Sequence, residues 1–178
     1  MLLPEYFISP AKEKQRYEEH NNDVTDKRYQ DFVSPITSAV INEFPETAMG
    51  LDYGCGTGPV AASELGKKNY QIILYDPYFR NDREALTKLY DFIICCEVME
   101  HFQEPAKEFR KLFGLLKPGG KLYCKTALYS PEIDFEKWYY KNDPTHVFLY
   151  TKKSLEIIRE LFRFSDVEIG PDLIVFRK

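Results

Sequence analysis

The chain has 178 residues, 44% hydrophobic and 29% charged, ordinary proportions for a globular protein and a length suited to one domain with a sizeable core. Its net charge of −4 argues against a nucleic-acid partner, because phosphate binding needs clustered Lys and Arg. No run approaches the roughly 18 apolar residues of a membrane span, and Met1-Leu2-Leu3-Pro4-Glu5 lacks the regions of a secretory signal, so a cytoplasmic location without a membrane partner is expected.

Residues 1–46 read as an N-terminal helical cap on a core of residues 47–178, together one domain. Tyr29, Phe32, Val33, Ile36, Val40, Ile41 and Phe44 recur at helical spacing and form one apolar stripe. Ser34-Pro35 interrupts it as an N-cap followed by Pro at the first helical position, which predicts two short helices or one kinked helix. Lys12-Glu13-Lys14-Gln15-Arg16 and Arg110-Lys111, diluted by acids, read as solvated faces. The pattern then alternates. Ala48–Tyr53 is a strand ending in a Gly-rich loop, Pro59–Leu65 a short helix stopped at Gly66, and Tyr70–Tyr75 a second strand. Asp82–Leu89 is a helical turn or two. Asp91–Glu97 is a continuous apolar run, the mark of a strand buried on both faces. Pro105–Leu116 is an amphipathic helix, Lys117-Pro118-Gly119-Gly120 a turn, and Lys121–Thr126 a strand. After a long connection, about Ala127–Tyr150, Thr151 caps a helix bearing Leu155, Ile158, Leu161 and Phe162. Val167–Ile169 and Leu173–Phe176 close the chain as a hairpin. Alternating strands and helices imply an α/β fold, a doubly wound, mostly parallel sheet with an antiparallel C-terminal hairpin at one edge.

The cysteines, Cys55, Cys95, Cys96 and Cys124, form no Cys-x-x-Cys pair and no His cluster accompanies them, so no metal is expected. In strands they act as small buried hydrophobes.

The chemistry centres on Leu51-Asp52-Tyr53-Gly54-Cys55-Gly56-Thr57-Gly58. Alternate glycines let a backbone approach a ligand closely, and in an open α/β sheet such a loop lies at the carboxyl end of a strand, where ligands bind. A dinucleotide fingerprint requires a third glycine where Pro59 stands, so that match fails. Asp52, directly before the loop, would repel a pyrophosphate but suits a cofactor carrying an ammonium and a sulfonium. The next acid at a strand end is Asp76, about 20 residues on, the position of the ribose-binding carboxylate in nucleotide-binding α/β folds.

These segments, with Tyr90-Asp91-Phe92-Ile93, Glu97-Val98-Met99-Glu100-His101-Phe102 and Leu115-Leu116-Lys117-Pro118-Gly119-Gly120, resemble class I (Rossmann-like) S-adenosylmethionine-dependent methyltransferases from about Ala48 to Lys178. Arg16-Tyr17-Glu18-Glu19-His20 and Asp143-Pro144-Thr145-His146-Val147 are similar to segments of small bacterial members of unassigned substrate. The resemblance implies that Gly54, Cys55, Gly56 and Gly58 hug the cofactor, that Asp52 orients its methionine amino end, and that Asp76, with Pro77 beside it, binds the ribose. Cys96 and Glu97 would line the methionine side and His101 would sit beneath the cofactor. Separately, the N-terminal helices, including Arg16 and His20, are expected to close over the cofactor. The interval from Pro77 to Tyr90 is too short for the helix and strand the class usually places there, so the outermost third strand is expected to be missing.

Methyl transfer to an oxygen or nitrogen needs alignment, water exclusion and removal of a proton. The candidates lie in the long connection: Trp138, Tyr139, Tyr140, Asp143, His146 and Tyr150. His146 is the expected general base, with a reference pKa of ~6.5, and Asp143 is expected to hold its loop. The aromatics either form an acceptor slot or pack the loop. The acceptor is expected to be a small molecule. A non-catalytic S-adenosylmethionine-binding regulatory module is the alternative. Asp76-Pro77-Tyr78-Phe79 is similar to the Asp-Pro-Pro-Tyr of amino-methylating enzymes but follows the wrong strand for that chemistry.

Overall fold

The computed structural model describes residues 1–19 and 22–178; His20 therefore lies outside the described residues. Five α-helices, α1 Pro10–Glu19, α2 Lys27–Glu43, α3 Val60–Gly66, α4 Pro105–Leu115 and α5 Lys152–Phe162, accompany six strands. The strands are β1 Met49–Tyr53, β2 Gln71–Tyr75, β3 Tyr90–Cys96, β4 Leu116–Lys125, β5 Asp166–Ile169 and β6 Ile174–Arg177. They form one sheet in the order β2-β1-β3-β4-β6-β5. The first four run parallel, and β6 and β5 complete it antiparallel.

Side-chain alternation divides the core into two layers. Phe92 and Ile94 of β3 pack with Val33, Ile36 and Val40 of α2 and with Val60 and Leu65 of α3. Ile93 and Cys95 point the other way, toward Phe109 and Leu112 of α4 and Leu155 and Ile158 of α5. Each such side chain contributes about 1.5–3 kcal/mol on burial, which explains why β3 reads as an unbroken apolar run. Cys95 and Cys124 sit opposite each other in register, fully buried as free thiols. Among the described residues no helix is long and apolar enough to cross a membrane.

The missing strand is borne out. β2 is the sheet edge, and the interval after it holds a 3-10 helix, Arg83–Thr87, and a single bridge between Asp76 and Arg80. Thr151 caps α5 as expected, in a reciprocal pair with Ser154.

Two boundaries differ from expectation. α2 runs straight through Pro35, capped by Asp26 rather than Ser34. Pro35 cannot donate to the Asp31 carbonyl, but the Ser34 hydroxyl donates to that same oxygen at 2.7 Å. The expected turn at Lys117–Gly120 lies inside β4, because Leu116 already pairs with Tyr90 and the register then shifts before Phe92 meets Lys121. The C-terminus closes around this irregular stretch, with the Gly119 amide donating to Lys178 and the Lys178 amide to Gly120.

Candidate active site

The glycine loop leaves β1 and folds back on the end of β2: the amides of Gly54 and Cys55 both donate to the Tyr75 carbonyl, at 2.8 and 3.1 Å. Gly56 has φ +58°, and a Cβ there would meet nothing within 4 Å, so its backbone faces open space. Asp76 fixes this conformation. Its Oδ2 accepts the Gly56 amide at 3.0 Å, and its Oδ1 accepts the amides of Tyr78 and Phe79 at 2.8 and 3.0 Å. A carboxylate offers about four lone-pair sites, so Asp76 retains capacity for a ligand hydroxyl while holding the loop.

The open space is a cavity of about 770 Å³, a volume suited to a cofactor-sized ligand. Asp52 faces it from β1, 5% exposed. Burial, with a smaller contribution from Asp76, pushes its carboxyl up to about 7. Glu97 follows β3 directly and holds a left-handed backbone, φ +52°, uncommon for a non-glycine residue. Its amide donates to the Lys125 carbonyl at 2.8 Å. Burial and then the neighbouring Glu100 raise its carboxyl to about 8. The thiols beside these acids are kept protonated by burial, Cys55 at about 12 and Cys96 well above its ordinary value, so neither acts as a thiolate.

At the far wall stand His101 and His146. His101 closes a short 3-10 helix, Met99–His101, and its Nδ1 lies 3.0 Å from the Thr145 carbonyl. His146 comes from the long connection, its Nδ1 2.7 Å from the Tyr140 carbonyl. The two ring centroids are 4.9 Å apart. Behind them Glu100 is fully buried and accepts the Tyr140 hydroxyl at 2.6 Å; burial holds its carboxyl near 7 against that hydrogen bond.

The N-terminal segment covers the cavity. Glu13, buried in α1, accepts the hydroxyls of Tyr17 at 2.7 Å and of Tyr78 at 2.8 Å, so it clips the helix to the turn after β2. Tyr17 rests edge-on against His101.

A family model described as a methyltransferase domain matches residues 20–168. The chain belongs to the methyltransferase domain family.

A ubiquinone biosynthesis O-methyltransferase of Pseudomonas fluorescens is 28% identical over 101 residues, which cover 54% of this methyltransferase chain and 42% of that relative. The chain thus matches less than half the length of that curated protein. Among solved structures, a SAM-dependent methyltransferase from Archaeoglobus fulgidus superposes with a TM-score of 0.62 at 19% identity, over 84% of this chain and 94% of the other. The 1,6-didemethyltoxoflavin-N1-methyltransferase of Burkholderia thailandensis, with bound 1,6-didemethyltoxoflavin and S-adenosylhomocysteine, gives 0.66 at 14% identity over 94% and 86%. These likenesses show a shared fold.

Within this methyltransferase domain one cavity gathers Asp52, Gly54, Cys55, Gly56, Gly58, Asp76, Pro77, Cys96, Glu97, His101 and His146. Arg16 and Asp143 stand apart from its lining. Arg16, expected at the cofactor, instead grips Asp143 Oδ2 through Nε and Nη2, at 3.1 and 2.9 Å. Asp143 Oδ1 accepts the amide and hydroxyl of Thr145, at 3.0 and 2.5 Å, so Asp143 organises the loop that carries His146. Of the aromatics, Tyr150 is fully buried with its hydroxyl on the Met99 carbonyl, Trp138 packs against Tyr129 and Tyr140, and Tyr139 is exposed. They pack the loop. Glu13 and Glu100 join the site without being candidates from the sequence. The charges around Glu13 suggest a solvated face, and its spacing of four from Tyr17 is the signal for a paired position; Glu100 stands out in the sequence only as part of the motif beside His101.

Proposed function

We propose that this chain binds S-adenosylmethionine in the cavity and transfers its methyl group to an oxygen or nitrogen of a small molecule. The observation that carries the reading is the placement of three carboxylates, Asp52, Asp76 and Glu97, at the carboxyl ends of the adjacent strands β1, β2 and β3 around one cavity. Buried carboxylates without a counter-charge are unfavourable. They suit a cation bearing hydroxyls and repel a pyrophosphate, which disfavours a nicotinamide dinucleotide.

The residues fit the cofactor. Gly56 offers bare backbone to the cavity, Asp52 supplies a buried anion for an ammonium, and Asp76 lies at the loop with acceptor capacity for a ribose hydroxyl. When bound, S-adenosylmethionine supplies a methyl group already activated by a sulfonium. The chain must then exclude water, to which Glu13 and Tyr17 contribute by lining one side of the cavity, and orient an acceptor whose proton leaves toward the His101 and His146 wall. His146 belongs to the group expected to take that proton. An oxygen acceptor is favoured by the likeness to an O-methyltransferase.

Calorimetry with S-adenosylhomocysteine and with NAD tests the reading. The expected result is binding of the former at least a hundredfold tighter, a difference of about 2.7 kcal/mol. Preferential NAD binding would reject it, and binding without methyl transfer to any of a panel of phenols and amines would favour the regulatory module.

A further inference from the structure

We propose that Glu100, His101 and His146 form a binding site for one divalent transition-metal ion at the acceptor end of the cavity. The inference deepens the proposed function, since it rests on that wall facing the methyl acceptor. One ligand atom from each of the three residues lies within 4.8 Å of the others. An ion bound at about 2.0–2.2 Å from each would draw them together by roughly an ångström, within side-chain reach.

Three further observations point to a cation. The first is the tautomer of the two imidazoles. Each Nδ1 faces a backbone carbonyl, Thr145 for His101 and Tyr140 for His146. A carbonyl accepts only, so Nδ1 carries the proton and the ring lone pair sits on Nε2. This is the arrangement in which metal-ligating histidines are held by their surroundings. His101 Nε2 is 3.9 Å from Glu100 Oε1.

The second is Glu100 itself. Its side chain is fully buried, and its Oε2 has no hydrogen-bond partner among the described residues. Leaving a buried carboxylate oxygen unpartnered is costly, and a cation removes that penalty. The third is the shared hydroxyl of Tyr140, which donates to Glu100 Oε1 at 2.6 Å and reaches Glu97 Oε2 at 3.3 Å. The fully buried Glu100 and the half-buried Glu97 therefore lean on one donor.

Two imidazole nitrogens with a carboxylate suit zinc or manganese rather than magnesium or calcium, which favour all-oxygen sites. Because His101 and His146 line the cavity, an ion there would meet an acceptor hydroxyl as an open-site ligand, lower its pKa and orient the oxygen. The general-base role expected for His146 is the competing account, because a ligating lone pair accepts no proton. The cysteine spacing that argued against zinc has no bearing on these residues.

The test uses chelator-treated full-length protein. Titration with Co²⁺ should give one equivalent of binding with visible d–d bands, displaced by Zn²⁺ and not by equimolar Mg²⁺. Glu100→Gln and His146→Gln should each weaken binding about 100-fold or more, as ligand loss exceeds the 10–100-fold effect of an outer-shell change. Circular dichroism confirms folding, and if Glu100→Gln does not fold, the partly exposed His146→Gln decides. Absence of Co²⁺ and Zn²⁺ binding by the wild type, or binding that survives both substitutions or shows thiolate charge-transfer bands, overturns the site. S-adenosylhomocysteine affinity is measured in the same samples. Wild-type protein that binds S-adenosylhomocysteine but no metal refutes the metal site alone, and wild-type protein that binds metal but not S-adenosylhomocysteine refutes the cofactor reading.

Discussion

Gly58 shows how a single position carries the site. A Cβ there would lie 1.7 Å from the Asn22 carbonyl oxygen, so any side chain pushes the segment covering the cavity away from the loop. Overpacking of this kind costs about 1–3 kcal/mol. Gly58→Ala should therefore weaken S-adenosylhomocysteine binding about tenfold or more while the protein remains folded. Gly66→Ala, where a Cβ meets nothing within 4 Å, should leave binding unchanged. Calorimetry on the two variants checks this; equal affinities would remove the contact from the argument. The alternating glycines were legible in the sequence as a close-approach loop. The partner at Gly58 was not, because no local pattern encodes a contact with Asn22.

Among the elements, α2 gives the sharpest test. Ser34 donates to the Asp31 carbonyl that Pro35 cannot serve, so the two residues act as a pair. Ser34→Ala should destabilise the protein by about 0.5–1 kcal/mol. In a Pro35→Ala background the restored amide serves the same carbonyl, and the effect of Ser34→Ala should vanish. A double-mutant cycle in urea measures the coupling, and additive effects would sink this account of the continuous helix. The Ser-Pro pair misled because its local signature is that of a helix start. The apolar stripe Val33, Ile36, Val40 packed on β3 outweighs that signature once the sheet is present.

For the molecule as a whole, the acids of the site tie stability to pH. The Asp52 carboxyl is raised to about 7, whereas an unfolded aspartate titrates near 3.9. The folded state therefore holds a proton that the unfolded chain has released. The stabilising contribution is complete below about pH 4 and declines as pH rises to about 7. Thermal melts of metal-free, ligand-free protein should fall from pH 5 to pH 8. Asp52→Asn should flatten the fall, with a gain at pH 8 of up to about 4 kcal/mol, while weakening cofactor binding. A variant with the wild-type pH profile would show that Asp52 is ionised and solvated in the free protein.

The succession of strands and helices, the glycine loop, the Thr151 cap and the absence of an outer strand after β2 were all written in the chain. Each depends on residues within a few positions of one another, or on an interval too short to hold more structure. The gathering of Glu13, Glu100, His101 and His146 was decided only by the tertiary fold. The residues arrive from α1, from the end of β3 and from the connection after β4, and they meet because β3 and β4 lie side by side in register and α1 is clipped over the turn after β2. The raised carboxyls of Asp52 and Glu100 follow from the same cause, since desolvation belongs to the packed state and to no stretch of sequence.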